Sequence, residues 1–89
     1  MSDKIHLNLY VSGKNSRSEK ARENLEAIFI NDFTGRYELN VIDVLKNPEL
    51  ARQEEIVATP TLIRIGVPAK RLVGEFSDRQ KVLTGLGLI

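Results

Sequence analysis

The sequence predicts a single α/β domain in the order β-α-β-α-β-β-α. Three observations carry this: a period-two apolar run near the amino end, a capped amphipathic segment after it, and a second strand-like run that completes a strand-helix-strand unit. At 89 residues the chain is long enough for one small core and well below the length at which chains divide into two domains. Hydrophobic residues at 42% and charged residues at 28% are ordinary for a folded chain, which argues against disorder and against a membrane class.

Ile5, Leu7, Leu9 and Val11 alternate with His6, Asn8 and Tyr10, so the first strand presents one apolar face. Ser16 with Glu19 three residues on has capping-box spacing, and a helix is expected to start there. Its inner stripe is Ala21, Leu25, Ile28, Phe29 and Phe33, and Gly35 supplies the stop. A second strand covers roughly residues 37–44, parallel to the first through a right-handed crossover. Asn47 before Pro48 opens a second helix, in which Leu50, Ala51 and Ile56 or Val57 would face inward. Residues 61–65 read as a third strand, 66–69 as a turn and 71–75 as a fourth strand. Ser77 with Gln80 repeats the capping spacing, and Val82, Leu83 and Leu86 give a last helix its inner face.

That last segment is locally balanced. Gly85 and Gly87, read as helix-interior residues, each cost about 0.8–1 kcal/mol relative to alanine. A period-two reading of residues 82–89 is equally regular, and residues 62–73 also exclude neither state.

Composition removes several functions. The absence of cysteine excludes disulfides, cysteine zinc sites and every thiol mechanism. His6 alone leaves no basis for a histidine-rich metal centre. Thirteen Lys and Arg against 12 Asp and Glu leave +1, too balanced for ordinary nucleic-acid binding. The charge is unevenly placed: residues 36–60 carry three basic and five acidic side chains, residues 61–89 five basic and two acidic. The basic members there are Arg64, Lys70, Arg71, Arg79 and Lys81, read as a solvated face or a protein-docking patch. Asp3 and Lys4 with no long apolar run behind them do not make a secretory signal, and no stretch reaches the roughly 20 apolar residues that span a bilayer. The expectation is a cytoplasmic protein with no membrane partner.

The element order is the thioredoxin-like arrangement, in which a redox pair would stand at the end of the first strand. Residues 13–16 are Gly, Lys, Asn and Ser, so that chemistry is absent whatever the fold. Thr59-Pro60-Thr61 fits the place where such folds carry a cis-proline before a strand, a rigid turn rather than a substrate contact. His6 reads as a solvated strand residue, Ser16 and Ser77 as caps, and Glu54 and Glu55 as an acidic helix end. Asp43 either holds a basic partner or ends its strand. No set assembles an active site, and no cofactor is expected.

The segments Leu9-Tyr10-Val11-Ser12-Gly13, Val41 through Ala51 (VIDVLKNPELA) and Ile56-Val57-Ala58-Thr59-Pro60-Thr61-Leu62 closely resemble the KaiB family of circadian clock proteins. Ser77 through Leu83 (SDRQKVL), then Gly85-Leu86, extend the likeness over nearly the whole chain from Ile5. The resemblance implies a non-enzymatic adaptor that binds the hexameric ATPase and kinase KaiC, with KaiA and histidine kinases of the SasA or CikA type as competing partners. It implies two folds of one sequence: the thioredoxin-like state, competent for KaiC, and a ground state, β-α-β-β-α-α-β, that is dimeric or tetrameric. The KaiC-facing residues it implies are Lys46, Asn47, Pro48, Leu50, Arg52 and Ala58, with Arg64 and Arg71 as basic contributors. Switching positions would include Ile5, Pro60, Gly85 and Gly87. The chain departs from the family at Glu55, where a lysine is usual, and at Asn40, also usually lysine, which weakens the implied KaiA contact. It also has a shorter loop around Pro68, and Gly87 in place of an acidic residue. A competing reading is a sensor module resembling the amino-terminal domain of SasA; a thiol-independent, glutathione-binding relative is the enzyme alternative.

Overall fold

The chain's fold is given by a computed structural model that describes residues 4–89; Asp3 lies outside them. Strand β1 (Ile5–Val11) leads to helix α1 (Ser16–Asp32), then strand β2 (Tyr37–Asp43) and helix α2 (Pro48–Gln53). Strands β3 (Thr61–Arg64) and β4 (Lys70–Val73) form a hairpin, and helix α3 (Arg79–Gly85) follows. The expected order is observed, with the last segment helical.

The sheet order is β2-β1-β3-β4. Strand β1 pairs parallel with β2, Ile5 opposite Tyr37, and antiparallel with β3, Leu9 opposite Leu62; β3 pairs antiparallel with β4. The crossover through α1 makes the first pair parallel, and the short 65–69 connection makes the last one antiparallel. Alternation then sorts the side chains. Leu7, Leu9, Val11 and Leu62 meet Ala21, Leu25, Ile28 and Phe29 of α1 and Val82, Leu83 and Leu86 of α3 in one core cluster. Each fully buried leucine contributes about 1.5–3 kcal/mol. Phe29 stacks obliquely on Phe33 and Tyr37, both at 5.4 Å between centroids. The other sheet face carries His6, Asn8, Tyr10 and Ile63 and is covered only in part, by α2.

Both caps fall one residue from the expected places. Asn15, not Ser16, caps α1: its side chain accepts from Ser18 N–H at 2.9 Å, and Ser18 Oγ accepts from Asn15 N–H at 3.0 Å. Asp78, not Ser77, caps α3, accepting from Lys81 N–H at 3.2 Å. Neighbouring Asn, Ser and Asp residues are all good caps, and the chain path selects among them. Strand β3 ends at Arg64 and β4 starts at Lys70, so the hairpin is shifted by one residue. Helix α2 has no buried residue; Leu50, Ala51 and Ile56 are half-buried, and of the alternatives Ile56 and Val57 it is Ile56 that turns partly inward, Val57 being 95% exposed. Phe76, outside the expected core, is buried there with φ 61°, a backbone region costly for a bulky residue and held by the burial of its ring.

Gly87 is not a helix-interior residue. It follows the α3 C-cap Leu86 with φ 73°, its N–H donates to Thr84 O, and Leu88 N–H donates to Leu83 O at 2.8 Å. This is a Schellman motif, in which glycine favours the helix end rather than opposing it. Gly85 sits where an added Cβ would lie 2.5 Å from Leu72 Cδ2, so it lets α3 approach β4.

Candidate functional site

The turn from β2 into α2 is built on Asp43. Its Oδ1 accepts from Gly13 N–H at 3.0 Å and Leu45 N–H at 2.9 Å, and its backbone oxygen accepts from Asn47 Nδ2 at 3.0 Å. Of the two expected roles for Asp43, holding a cation or ending the strand, the contacts are those of the second. Asn47 is the N-cap residue, though its side chain bonds back to Asp43 rather than to the helix, and Pro48 occupies the first helical position. The outcome is a fixed turn that presents Lys46, Asn47 and Pro48 to solvent. Arg52 is exposed and ion-paired to Glu49 one turn back, while Ala58 is exposed in the loop beyond.

Leu50 is half-buried at the edge of a groove of roughly 310 Å³ floored by Tyr10, Ile63 and Ile65, with Glu54 and Ala69 on its walls. Burial pushes the Tyr10 phenol above its ordinary value of 10.0, and a hydrogen bond with Asn8 acts in the opposite direction. From the hairpin, Arg71 reaches the end of α2, donating through Nη2 to Glu54 O at 2.7 Å and through Nη1 to Glu55 O at 3.1 Å. These two carbonyls lie at the end of α2, where a helix terminus attracts cations. Helix α2 also ends in a Schellman motif: Ile56 N–H donates to Ala51 O at 2.9 Å and Glu55 N–H to Arg52 O at 3.1 Å. The left-handed position is held by Glu55, with φ 54°.

Asn47, Pro48, Leu50 and Arg52 share the turn and helix α2, and Arg71 reaches the end of that helix; Lys46, in the same turn, borders a hollow with Glu19 and Arg22 of α1, and Ala58 is exposed in the loop beyond. Arg64 does not join them. It shares its parity on β3 with core-facing Leu62, and its Nη1 donates to Leu86 O at the end of α3, 2.8 Å away. The switching positions are spread more widely: Ile5 is half-buried at the start of β1, Pro60 is buried after a cis peptide bond, and Gly85 and Gly87 flank the end of α3. The cis bond lies where the sequence places it; a second one, Val67–Pro68, had no sequence signal. Sequence reasoning also missed the Arg71 latch, for which the only signal was its alternation with Leu72.

At the end of β1, the position of a redox pair, a small crevice is lined by Ser12, Asn15, Ser18, Thr59 and Pro60. The hydroxyls of Ser12 and Thr59 bond to each other at 2.9 Å. His6 lies at the far end of the strand and faces Glu38 at 3.6 Å. Among the described residues no three His, Asp or Glu side chains gather to hold a metal, and no helix is long and apolar enough to cross a membrane.

A four-stranded sheet ordered β2-β1-β3-β4, a cis-proline leading into β3 and no cysteine define a thioredoxin-like protein stripped of thiol chemistry. Solved structures agree on the fold. The amino-terminal domain of Synechococcus elongatus SasA has a TM-score of 0.79 at 23% identity, covering 100% of this chain and 89% of that one. Chloroplastic thioredoxin z has a TM-score of 0.75 at 25% identity, covering 96% and 77%. The particular family is KaiB, to which this chain belongs: the KaiB domain family matches residues 8–88. The circadian clock oscillator protein KaiB of Prochlorococcus marinus strain MIT 9303 is 50% identical over 84 residues, 93% of this chain and 71% of that protein. KaiB of Synechococcus elongatus is 49% identical over 84 residues, 93% and 82%.

Proposed function

We propose that this chain is a non-enzymatic adaptor of a KaiC-type hexameric ATPase and kinase, acting in the cytoplasm in circadian timing or in a clock-derived stress response. The observation that carries the reading is family membership across residues 8–88, with about half the residues identical to clock oscillator proteins. The proposed docking surface is the turn and helix at Lys46, Asn47, Pro48, Leu50 and Arg52, continued by Ala58 and Arg71. Two features favour it. The surface is exposed yet shaped by a fixed turn, and Glu55 keeps a costly backbone conformation beside it, as binding sites often do. Arg64 is left out because it faces the other side of the sheet.

We also propose a second arrangement of the same chain, a homo-oligomeric ground state, since residues 62–73 and 82–89 read by pattern as either helix or strand. Partner binding would then select the thioredoxin-like state, and the apparent affinity would fall by the fraction of chains in it. Ile5, Pro60, Gly85 and Gly87 are the proposed switching positions. KaiA and kinases of the SasA or CikA type are secondary candidates, because Asn40 replaces a lysine on β2. The sensor-module reading is weaker: 23% identity to the SasA domain supports a shared fold, whereas 50% to KaiB supports a shared role.

Size-exclusion chromatography of the chain incubated with a cognate KaiC-type hexamer and ATP tests the proposal. Co-elution is expected, reduced by Leu50→Ala and by Arg52→Glu. Separate elution after prolonged incubation overturns it.

A further inference from the structure

We propose that Arg64, Lys70 and the open backbone at Gly87 form a docking site for the carboxylates of an acidic protein segment, on the sheet face opposite α2. The ladder places Arg64 directly opposite Lys70, so two cations share one rung. Like charges so placed repel unless an anion lies between or beside them. Arg64 is anchored by its bond to Leu86 O, which leaves further guanidinium N–H donors for an oxygen pair. Lys70 is exposed and has no ion pair among the described residues.

Gly87 completes the geometry. A Cβ there would lie 3.7 Å from Arg64 Nη1 and 3.7 Å from Lys70 Cε, so both cations border a position at which this chain supplies no side chain. The side-chain carboxylates of residues 61–89 are engaged elsewhere, Glu75 facing Arg17 at 3.8 Å and Asp78 capping α3, and among the described residues no carboxylate forms an ion pair with Arg64 or Lys70. The pair is thus unneutralised within a segment that carries five basic and two acidic side chains.

The chemistry selects an acidic protein segment. Nucleic acid requires several phosphate contacts and stacking rings, whereas this site has two cations in a chain of net charge +1. A lone small anion at an open site gains little against solvent, whereas a run of carboxylates adds long-range attraction to the whole basic end. The site is distinct from the α2 surface and does not depend on the identity of the partner proposed there.

Amide NMR titration of the full chain with a capped oligoglutamate peptide, at low and high salt, tests the site. Signals of Arg64, Lys70 and Gly87 should shift, with affinity falling as salt rises. Lys70→Gln should weaken binding about threefold to tenfold, and Lys14→Gln, at the other end of the sheet, less than about twofold. Gly87→Asp, tolerated at positive φ better than most residues, should abolish the shifts by placing a carboxylate between the cations. Equal losses from Lys14→Gln and Lys70→Gln would reduce the effect to net charge and overturn the site. So would equal affinity for inorganic phosphate, tighter binding of a single-stranded oligonucleotide, or no shift at these amides in the folded wild-type chain.

Discussion

Helices α2 and α3 end in the same hydrogen-bonded motif, yet one end places Glu55 at the left-handed position and the other places Gly87. The α3 end is backed by buried Leu83 and Leu86, with Gly85 allowing close approach to Leu72. The α2 end has no buried residue in its helix and depends on Arg71 reaching two carbonyls from the hairpin. The contrast separates two uses of one device. At α3 the motif fixes the fold's last element against the core; at α2 it is held under local cost, on the surface proposed to dock a partner.

Breaking the packed end should cost the most. Leu83→Ala removes a fully buried side chain and should cost about 2–5 kcal/mol in urea denaturation. Hydrogen exchange should then show β3, β4 and α3 loosening before β1 and α1, which keep their contacts with each other and with β2 when the α3 side of the shared core is weakened. Next, Gly87→Ala should cost about 1–2 kcal/mol, because alanine must adopt φ near 73°. The matching change at the other helix has the opposite sign: Glu55→Gly should stabilise by about 0.5–1 kcal/mol, the relief being reduced by the entropy glycine loses on folding. If both substitutions destabilised equally, the two ends would not differ as described.

The smallest effect concerns pH. Burial raises the Tyr10 phenol, so the folded state holds that proton more tightly than the unfolded chain does. Below about pH 10 this group does not affect stability; above it, stability should fall with rising pH. Denaturation of wild type and Tyr10→Phe across pH 9–11 (about one unit either side of the ordinary phenol value) isolates the contribution, which the variant should lack.

Much of this was legible in the residues. Period two in β1 and the spacing of Ala21, Leu25, Ile28 and Phe29 identify elements whose burial follows from their own pattern. Parity alone separates Arg64 from Arg71, since the first shares its face with core-facing Leu62 and the second alternates with core-facing Leu72, though the resemblance to relatives grouped them. Gly87 was misassigned because a capping glycine and a helix-breaking glycine are the same residue until the hydrogen bonds around it are known. The exposure of Val57 was illegible for a related reason: hydropathy favours burial of Ile56 and Val57 alike, and the left-handed turn at Glu55, φ 54°, leaves Ile56 half-buried and Val57 exposed.

Hydrogen-deuterium exchange of the chain alone and with a nucleotide-loaded KaiC-type hexamer reads the proposed docking surface residue by residue. New protection is expected across residues 46–58 and at Arg71, with the outer face of α1 around Glu23 and Ala27 unchanged. Protection confined to α1, or none at residues 46–58 in a complex that forms, would contradict that surface.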